Sequence, residues 1–91
     1  MIQSWRSAAA KAVFEGKDPG KGFPADLVNS TRRRLQRLDA AMTVEDLRGP
    51  PSHRLSGDRA EQWSISVNDQ FRICFFWGQQ GPEDVEFVEY H

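Results

Sequence analysis

Apolar positions in the second quarter of the chain recur every three or four residues, which is the spacing of one face of an α-helix. The positions on this stripe are Leu27, Thr31, Leu35, Leu38 and Met42. Pro24 stands at the predicted first position of the helix and Asp26 in its first turn, where a fixed φ angle and a negative charge are favourable. The pattern therefore predicts a long helix that begins at Pro24.

A shorter helix is predicted from Ala8 to Phe14, because Ser7 can cap its start and Gly16 can end it. After the second helix, residues 43–46 resemble a capping box and predict one short helical turn up to Leu47. Residues 49–58 contain two glycines and two prolines, and they are predicted to form a loop.

The remaining segments alternate between apolar and polar residues, as β-strands do. The predicted strands are residues 2–5, 63–67, 71–77 and 85–88. The third is nearly continuously apolar, which predicts a central strand buried on both faces, and short turns join the last three strands into an antiparallel meander. The predicted fold is α+β in the order β-α-α-β-β-β. Its two N-terminal helices pack on one face of a small, mostly antiparallel sheet.

Length and composition limit the class of protein. With 91 residues, 38% of them hydrophobic, one small core and a single domain over residues 1–91 are expected. The chain has no apolar run long enough for a membrane span and no secretory signal at its start, which predicts a cytoplasmic protein without a membrane partner. One cysteine, Cys74, excludes an internal disulfide. With only two histidines it cannot form a zinc site, so neither metal nor cofactor is expected.

The net charge of -1 conceals an asymmetry. Residues 1–59 hold 11 basic and 7 acidic residues, whereas residues 60–91 hold 1 basic and 6 acidic residues. The basic side chains of the second helix are Arg32, Arg33, Arg34 and Arg37. They form either a solvated helix face or a surface that docks on a nucleic-acid backbone without reading its sequence.

Arg72 is the only basic residue after position 59, and it lies inside an aromatic strand. A cation in that position needs a carboxylate or an anionic ligand, since burying it unpaired costs several kcal/mol. One alternative is a structural ion pair with an acid of the same half. The other is phosphate binding, for which the bidentate guanidinium is suited.

Glu89, Tyr90 and His91 end the chain directly after an apolar strand, and His53 lies in the Pro-rich loop. The inert alternatives are a frayed tail and a solvated loop histidine. With Arg72, however, these residues supply what RNA cleavage requires. A base takes the proton of the 2'-hydroxyl, a cation stabilises the phosphorane, and an acid protonates the leaving 5'-oxygen.

Four stretches carry a specific family pattern: Gly57-Asp58-Arg59, Trp63-Ser64-Ile65-Ser66-Val67-Asn68, Phe71-Arg72-Ile73-Cys74-Phe75 and Val88-Glu89-Tyr90-His91. Further matches at residues 2–5, 35–40 and 47–51 extend the pattern over essentially the whole chain. The sequence resembles the HigB group of RelE/ParE-type toxins from bacterial type II toxin–antitoxin systems.

The resemblance implies a RelE/ParE-like fold and a definite activity. HigB toxins are ribosome-dependent mRNA endonucleases (mRNA interferases) that enter the ribosomal A site and cleave the codon there by metal-independent acid–base chemistry. The implied partners are the ribosome, mRNA and a HigA-type helix-turn-helix antitoxin. Operator DNA is contacted only indirectly, through the antitoxin.

Residue by residue, the resemblance makes His91 and Glu89 proton-transfer or positioning groups, Tyr90 an aromatic support, Arg72 the phosphate stabiliser and His53 a second histidine at the site. The side chains implied to touch ribosomal RNA are Arg33, Arg34, Arg37, Arg54 and Arg59. Glu89 stands where many members have aspartate. Ser56 stands where many have lysine, so the implied site has one cation fewer.

Two other functions fit the same fold, because a fold does not fix a function. A ParE-like toxin would bind a protein such as DNA gyrase, and Tyr90 and His91 would then be structural. An inactive toxin would only help its antitoxin to hold operator DNA, a possibility to which Ser56 gives some weight. A folded truncation without the last two residues would remain toxic if the protein were a gyrase binder.

Overall fold

The computed structural model describes residues 1–47, 52–54 and 62–89; for Glu45 and residues 52–54 it describes only the backbone. Helix α1 spans Ala8–Phe14, as predicted. The hydroxyl of Ser7 accepts a hydrogen bond from the backbone N–H of Ala10 at 3.2 Å, which satisfies one of the donors that a helix start leaves unpaired. Gly16 follows the helix with a φ of +78°, a conformation that glycine adopts without strain.

Helix α2 spans Val28–Ala40 and is preceded by a 3-10 turn over Ala25–Leu27. The predicted stripe faces the core, because Thr31, Leu35 and Leu38 are fully buried. In the described part of the chain, no helix combines the length and the apolar character needed to cross a lipid bilayer.

The end of α2 departs from the prediction. Ala41 has extended backbone angles, so the helix stops before Met42, whose side chain is 84% exposed instead of buried on the stripe. The Asp46 carboxylate accepts hydrogen bonds from two backbone N–H groups before it, at 2.8 and 3.1 Å, which is one half of the predicted capping box. The 3-10 turn Val44–Leu47 follows and buries Leu47 in the core.

Within residues 52–54 and 62–89, four antiparallel strands form one sheet in the order β1-β2-β3-β4. They are β1 (Ser52–Arg54), β2 (Gln62–Ser66), β3 (Phe71–Gly78) and β4 (Gly81–Glu89). The last three form the predicted meander, and the α+β class is confirmed. Strand β1 falls in the predicted loop. Its three residues are polar and show no alternation, so pairing with β2, and not a pattern of its own, makes it a strand.

The predicted first strand is reduced to a single parallel bridge between Trp5 and Val85 at the edge of β4. The bridge lies beside a bulge in β4. Cys74 pairs with Glu86 but Phe76 pairs with Glu83, so β4 has one extra residue there. The observed order of the elements is therefore α-α-β-β-β-β.

The bulge also holds the N-terminal segment. Asp84 adopts a φ of +51°, and its N–H donates to the Ser4 hydroxyl at 2.9 Å instead of continuing the ladder. The N–H of Val85 then donates to the Ser4 carbonyl at 3.1 Å, and the N–H of Arg6 donates to the Val85 carbonyl at 2.9 Å.

One face of the sheet packs against the helices and the other faces away from them. Buried side chains of the sheet and of α1 and α2 form one cluster that includes Val13, Leu35, Leu38, Ile65, Ile73, Phe75 and Val85. Successive strand residues point to opposite faces, and directly paired residues share a face. The intervening residues therefore form what we name the outer face: Gln62, Ser64, Ser66, Arg72, Cys74, Phe76, Glu86 and Val88.

Candidate active site

Arg72 lies half-buried on the outer face, in the strand between β2 and β4. Its direct partners across the sheet are Ser66 on β2 and Val88 on β4. The guanidinium does not stay opposite Ser66, however. Its Nη1 reaches diagonally to the hydroxyl of Ser64 at 3.4 Å, and Ser64 is fully buried. The charged group thus lies over β2, beside a neutral oxygen.

Ser64 connects Arg72 with the position of His53. The register of β2 pairs Ser64 with His53 on one side and with Cys74 on the other. Neighbouring strands are about 4.8 Å apart, so the backbones of His53 and Cys74 lie about 10 Å apart across Ser64. The backbone of Arg54 pairs with Trp63, one position along. The fold therefore brings the backbone of His53 into the same row as the hydroxyl that Arg72 contacts.

Glu89 does not share a face with Arg72. At the end of β4 it pairs with Phe71. The ring of Phe71 stacks on that of Phe87, with centroids 5.0 Å apart, and packs against the core. Because paired residues share a face, Glu89 projects from the helix-covered side of the sheet, where it is exposed. The predicted Tyr90, His91 and Arg59 lie outside the described residues.

Glu86 is a carboxylate on the outer face that is not among the predicted site residues. It pairs with Cys74. One row of paired positions therefore runs across the four strands, next to Arg72, and consists of Glu86, Cys74, Ser64 and the backbone of His53. The alternation of Val85 to Val88 already marked position 86 as pointing away from the core. The sequence does not show the register between β3 and β4, which includes the bulge and pairs Glu86 with Cys74.

Cys74 is 2% exposed, in agreement with its place in the strand over residues 71–77 that the sequence predicts to be buried on both faces. Among residues 1–47 and 62–89, no three histidine, cysteine or acidic side chains come together in a way that could hold a metal ion.

The predicted basic surface of α2 divides into two kinds of arginine. Arg33 and Arg37 are exposed and lie one helical turn apart, so they present two charges on the same side of α2. Arg32 is half-buried, and its Nε donates to the carbonyl of Val13 at 2.8 Å, which ties α2 to the end of α1.

Arg34 connects α2 to the sheet. Its Nε donates to the carbonyl of Ser66 at 2.9 Å and its Nη1 to the carbonyl of Ser30 at 3.2 Å. Carbonyl oxygens satisfy these donors without neutralising the charge. Arg34 therefore supports the end of β2, the strand on which Arg72 rests.

The family follows from a comparison with known proteins. Residues 3–91 match the model of the HigB-like toxins, described as the RelE-like toxin of the type II toxin–antitoxin system HigB. Two helices packed on one face of a small antiparallel sheet, together with this match, define the class as a RelE-like toxin of a type II toxin–antitoxin system. Within that class, the chain belongs to the HigB-like toxin family.

Two relatives carry the same family name. The endoribonuclease HigB of Proteus vulgaris is 33% identical over 93 residues, and the comparison covers all of both chains. The toxin HigB-1 of Vibrio cholerae serotype O1 is 42% identical over 80 residues, which are 85% of this chain and 84% of that protein. The resemblance inferred from the sequence motifs is confirmed.

Proposed function

We propose that this toxin is a ribosome-dependent mRNA endonuclease that cleaves the codon in the ribosomal A site. The observation that carries the proposal is the position of Arg72, half-buried on the outer face with its guanidinium beside a buried hydroxyl. A cation held in this way is preorganised to receive a phosphate. The activity named for the full-length relative from Proteus vulgaris, an endoribonuclease, supports the same reaction.

The chemistry needs three contributions from side chains. The 2'-oxygen attacks the adjacent phosphorus while a base removes its proton, and the bond to the 5'-oxygen breaks while an acid protonates that oxygen. Arg72 donates to the non-bridging oxygens, where negative charge accumulates. We assign proton transfer to His91 and His53 and a supporting role to Tyr90. Glu89 projects from the other face of the sheet and receives no role beside Arg72 in this scheme. This scheme requires neither metal nor cofactor.

The proposed contact with the ribosome is basic. It comprises the exposed pair Arg33 and Arg37 on α2 together with Arg34, Arg54 and Arg59. A net charge of -1 disfavours tight binding to free RNA, because affinity grows with the number of phosphates neutralised. The ribosome therefore supplies the rest of the docking surface in this proposal.

The partners follow from the family. Membership in the HigB-like toxins supports a HigA-type helix-turn-helix antitoxin as the neutralising partner, with operator DNA contacted through the antitoxin. A substrate presented by translating ribosomes places the proposed reaction in the cytoplasm.

The decisive experiment is primer extension on mRNA held in purified translating ribosomes, with the wild-type protein and His91→Ala side by side. We expect a new cut inside the A-site codon. If His91 transfers a proton, the variant should cut at least about 100-fold more slowly with unchanged ribosome binding. Folded wild-type protein that makes no cut would overturn the proposal and favour a gyrase binder or an inactive toxin. Equally fast cleavage of free RNA would overturn the ribosome dependence.

A further inference from the structure

We propose that Ser64 is a positioning residue for the reaction, because it fixes the guanidinium of Arg72 over β2. The inference rests on the proposed function and deepens it. It concerns a residue that supports the phosphate-binding cation without itself contacting RNA.

Two serines of β2 lie on the outer face near Arg72, and they behave differently. Ser66 is the direct pairing partner of Arg72, but its hydroxyl donates to the carbonyl of Asn68 at 3.1 Å. Ser64 lies two residues away, and its hydroxyl accepts from Nη1 of Arg72 at 3.4 Å. The arginine side chain thus leans along β2, away from the residue opposite its own backbone.

The burial of Ser64 makes its hydroxyl a fixed acceptor. Ser64 is fully buried, whereas Ser66 and Arg72 are half-buried. A buried hydroxyl has few partners to exchange with and is costly to leave unbonded. Its oxygen is also neutral, so it orients the guanidinium without cancelling the charge that a phosphate requires. A carboxylate in the same place would compete with the phosphate for that charge.

The direction of the lean matters for the site. Ser64 belongs to the row that contains the backbone of His53, Cys74 and Glu86. By leaning towards Ser64, the guanidinium moves towards the strand that carries the proposed second histidine. Removing this acceptor deletes a contact that directs the guanidinium towards Ser64, while Arg72 keeps its charge.

The test compares four variants in the ribosome-bound cleavage assay: Ser64→Ala, Ser66→Ala, Arg72→Ala and the double variant Ser64→Ala/Arg72→Ala. Single-turnover cleavage rates and ribosome affinities are measured separately. We expect Ser64→Ala to cleave about three- to tenfold more slowly, the effect of one lost hydrogen bond, with unchanged ribosome affinity. Ser66→Ala is the matched control, a serine on the same strand and face, and should stay within about twofold of the wild type.

The double variant separates positioning from general stability. If Ser64 acts through Arg72, its loss has no further effect in the Arg72→Ala background, which is a non-additive result. Equal slowing in both backgrounds, or a wild-type rate for Ser64→Ala, would overturn the inference. If Ser64→Ala does not fold, Ser64→Cys is measured instead, since cysteine keeps the side-chain shape with a somewhat larger sulfur atom that accepts only weakly. A reduced rate of Ser64→Cys supports the inference, and a wild-type rate overturns it.

A failure of the proposed function gives a different result from a failure of the role of Ser64. Absence of cleavage by the wild-type protein rejects the nuclease itself. A wild-type rate for Arg72→Ala rejects the role of Arg72, and the role of Ser64 with it.

Discussion

The arginines of α2 show that the surroundings of a residue decide what its charge can do. Four closely spaced arginines in the sequence predict one basic surface, and the fold uses two of them as structural ties. Arg32 and Arg34 donate to main-chain carbonyls of α1 and β2, respectively, whereas Arg33 and Arg37 are exposed. A sequence pattern does not show which backbone carbonyl an arginine will contact, because every residue carries a backbone carbonyl.

Arg34→Ala should destabilise the protein by about 1–2 kcal/mol, since it removes two charge-assisted hydrogen bonds from half-buried carbonyls. Arg33→Ala is the matched control, a neighbouring arginine whose side chain is exposed, and should change stability by less than about 0.5 kcal/mol. Urea denaturation of both variants measures the difference. Equal stability of the two variants would show that the contacts of Arg34 contribute nothing to folding.

Arg72 and Glu89 illustrate the same point for the candidate site. The sequence identified both as chemically active side chains near the C-terminus. Which face of the sheet each occupies depends on the register of β3 against β4, where Arg72 pairs with Val88 and Glu89 with Phe71. Register is fixed by long-range pairing and by the bulge, so no local pattern shows that the two side chains project from opposite faces.

Elements with local signals were predicted well. Ser7 and Gly16 mark the ends of α1, and the stripe of α2 buries Leu35 and Leu38, because capping and periodicity act within a few residues. The exact end of α2 was not predictable in this way. The spacing of apolar residues continues to Met42, but the backbone becomes extended at Ala41, where the chain leaves the helix.

The end of α2 can be tested with two apolar residues that the spacing places on the same stripe. Leu38→Ala should lower the free energy of unfolding by about 2–5 kcal/mol, because Leu38 is fully buried and leaves a cavity. Met42→Ala should change it by less than about 0.5 kcal/mol, since Met42 is 84% exposed. Chemical denaturation of both variants provides the measurement. A large cost for Met42→Ala would mean that the helix continues into the core.

At the scale of the whole molecule, the charge asymmetry of the sequence becomes a difference in charge between the helix layer and the sheet. The layer of α1 and α2 carries the exposed Arg33 and Arg37, whereas acidic residues of the C-terminal part, such as Glu83 and Glu86, lie on β4. A basic helix layer beside an acidic sheet gives the protein a preferred orientation towards a polyanion, although its net charge is close to zero.

This orientation predicts a salt effect. The double variant Arg33→Ala/Arg37→Ala should bind ribosomes more weakly and reduce the slope of log affinity against log salt by about two, about one for each cation removed. Lys17→Ala is the control, because Lys17 is a lysine outside α2 whose side chain is 74% exposed. Ribosome affinity measured over a range of salt concentrations gives this slope for the wild type and for each variant. An unchanged slope in the double variant would exclude α2 as the docking surface.

The sequence by itself determined the helices, the meander, the buried cysteine and the family, because these depend on local spacing, capping and motifs that a linear pattern contains. Only the tertiary structure decided that β1 is a strand, that the N-terminal segment is a single bridge on β4, and that Arg72 rests on Ser64 while Glu89 lies on the other face. Each of these depends on which residues become partners across the sheet. That pairing depends on long-range hydrogen bonds and on packing of the core. No single segment of the chain contains this information.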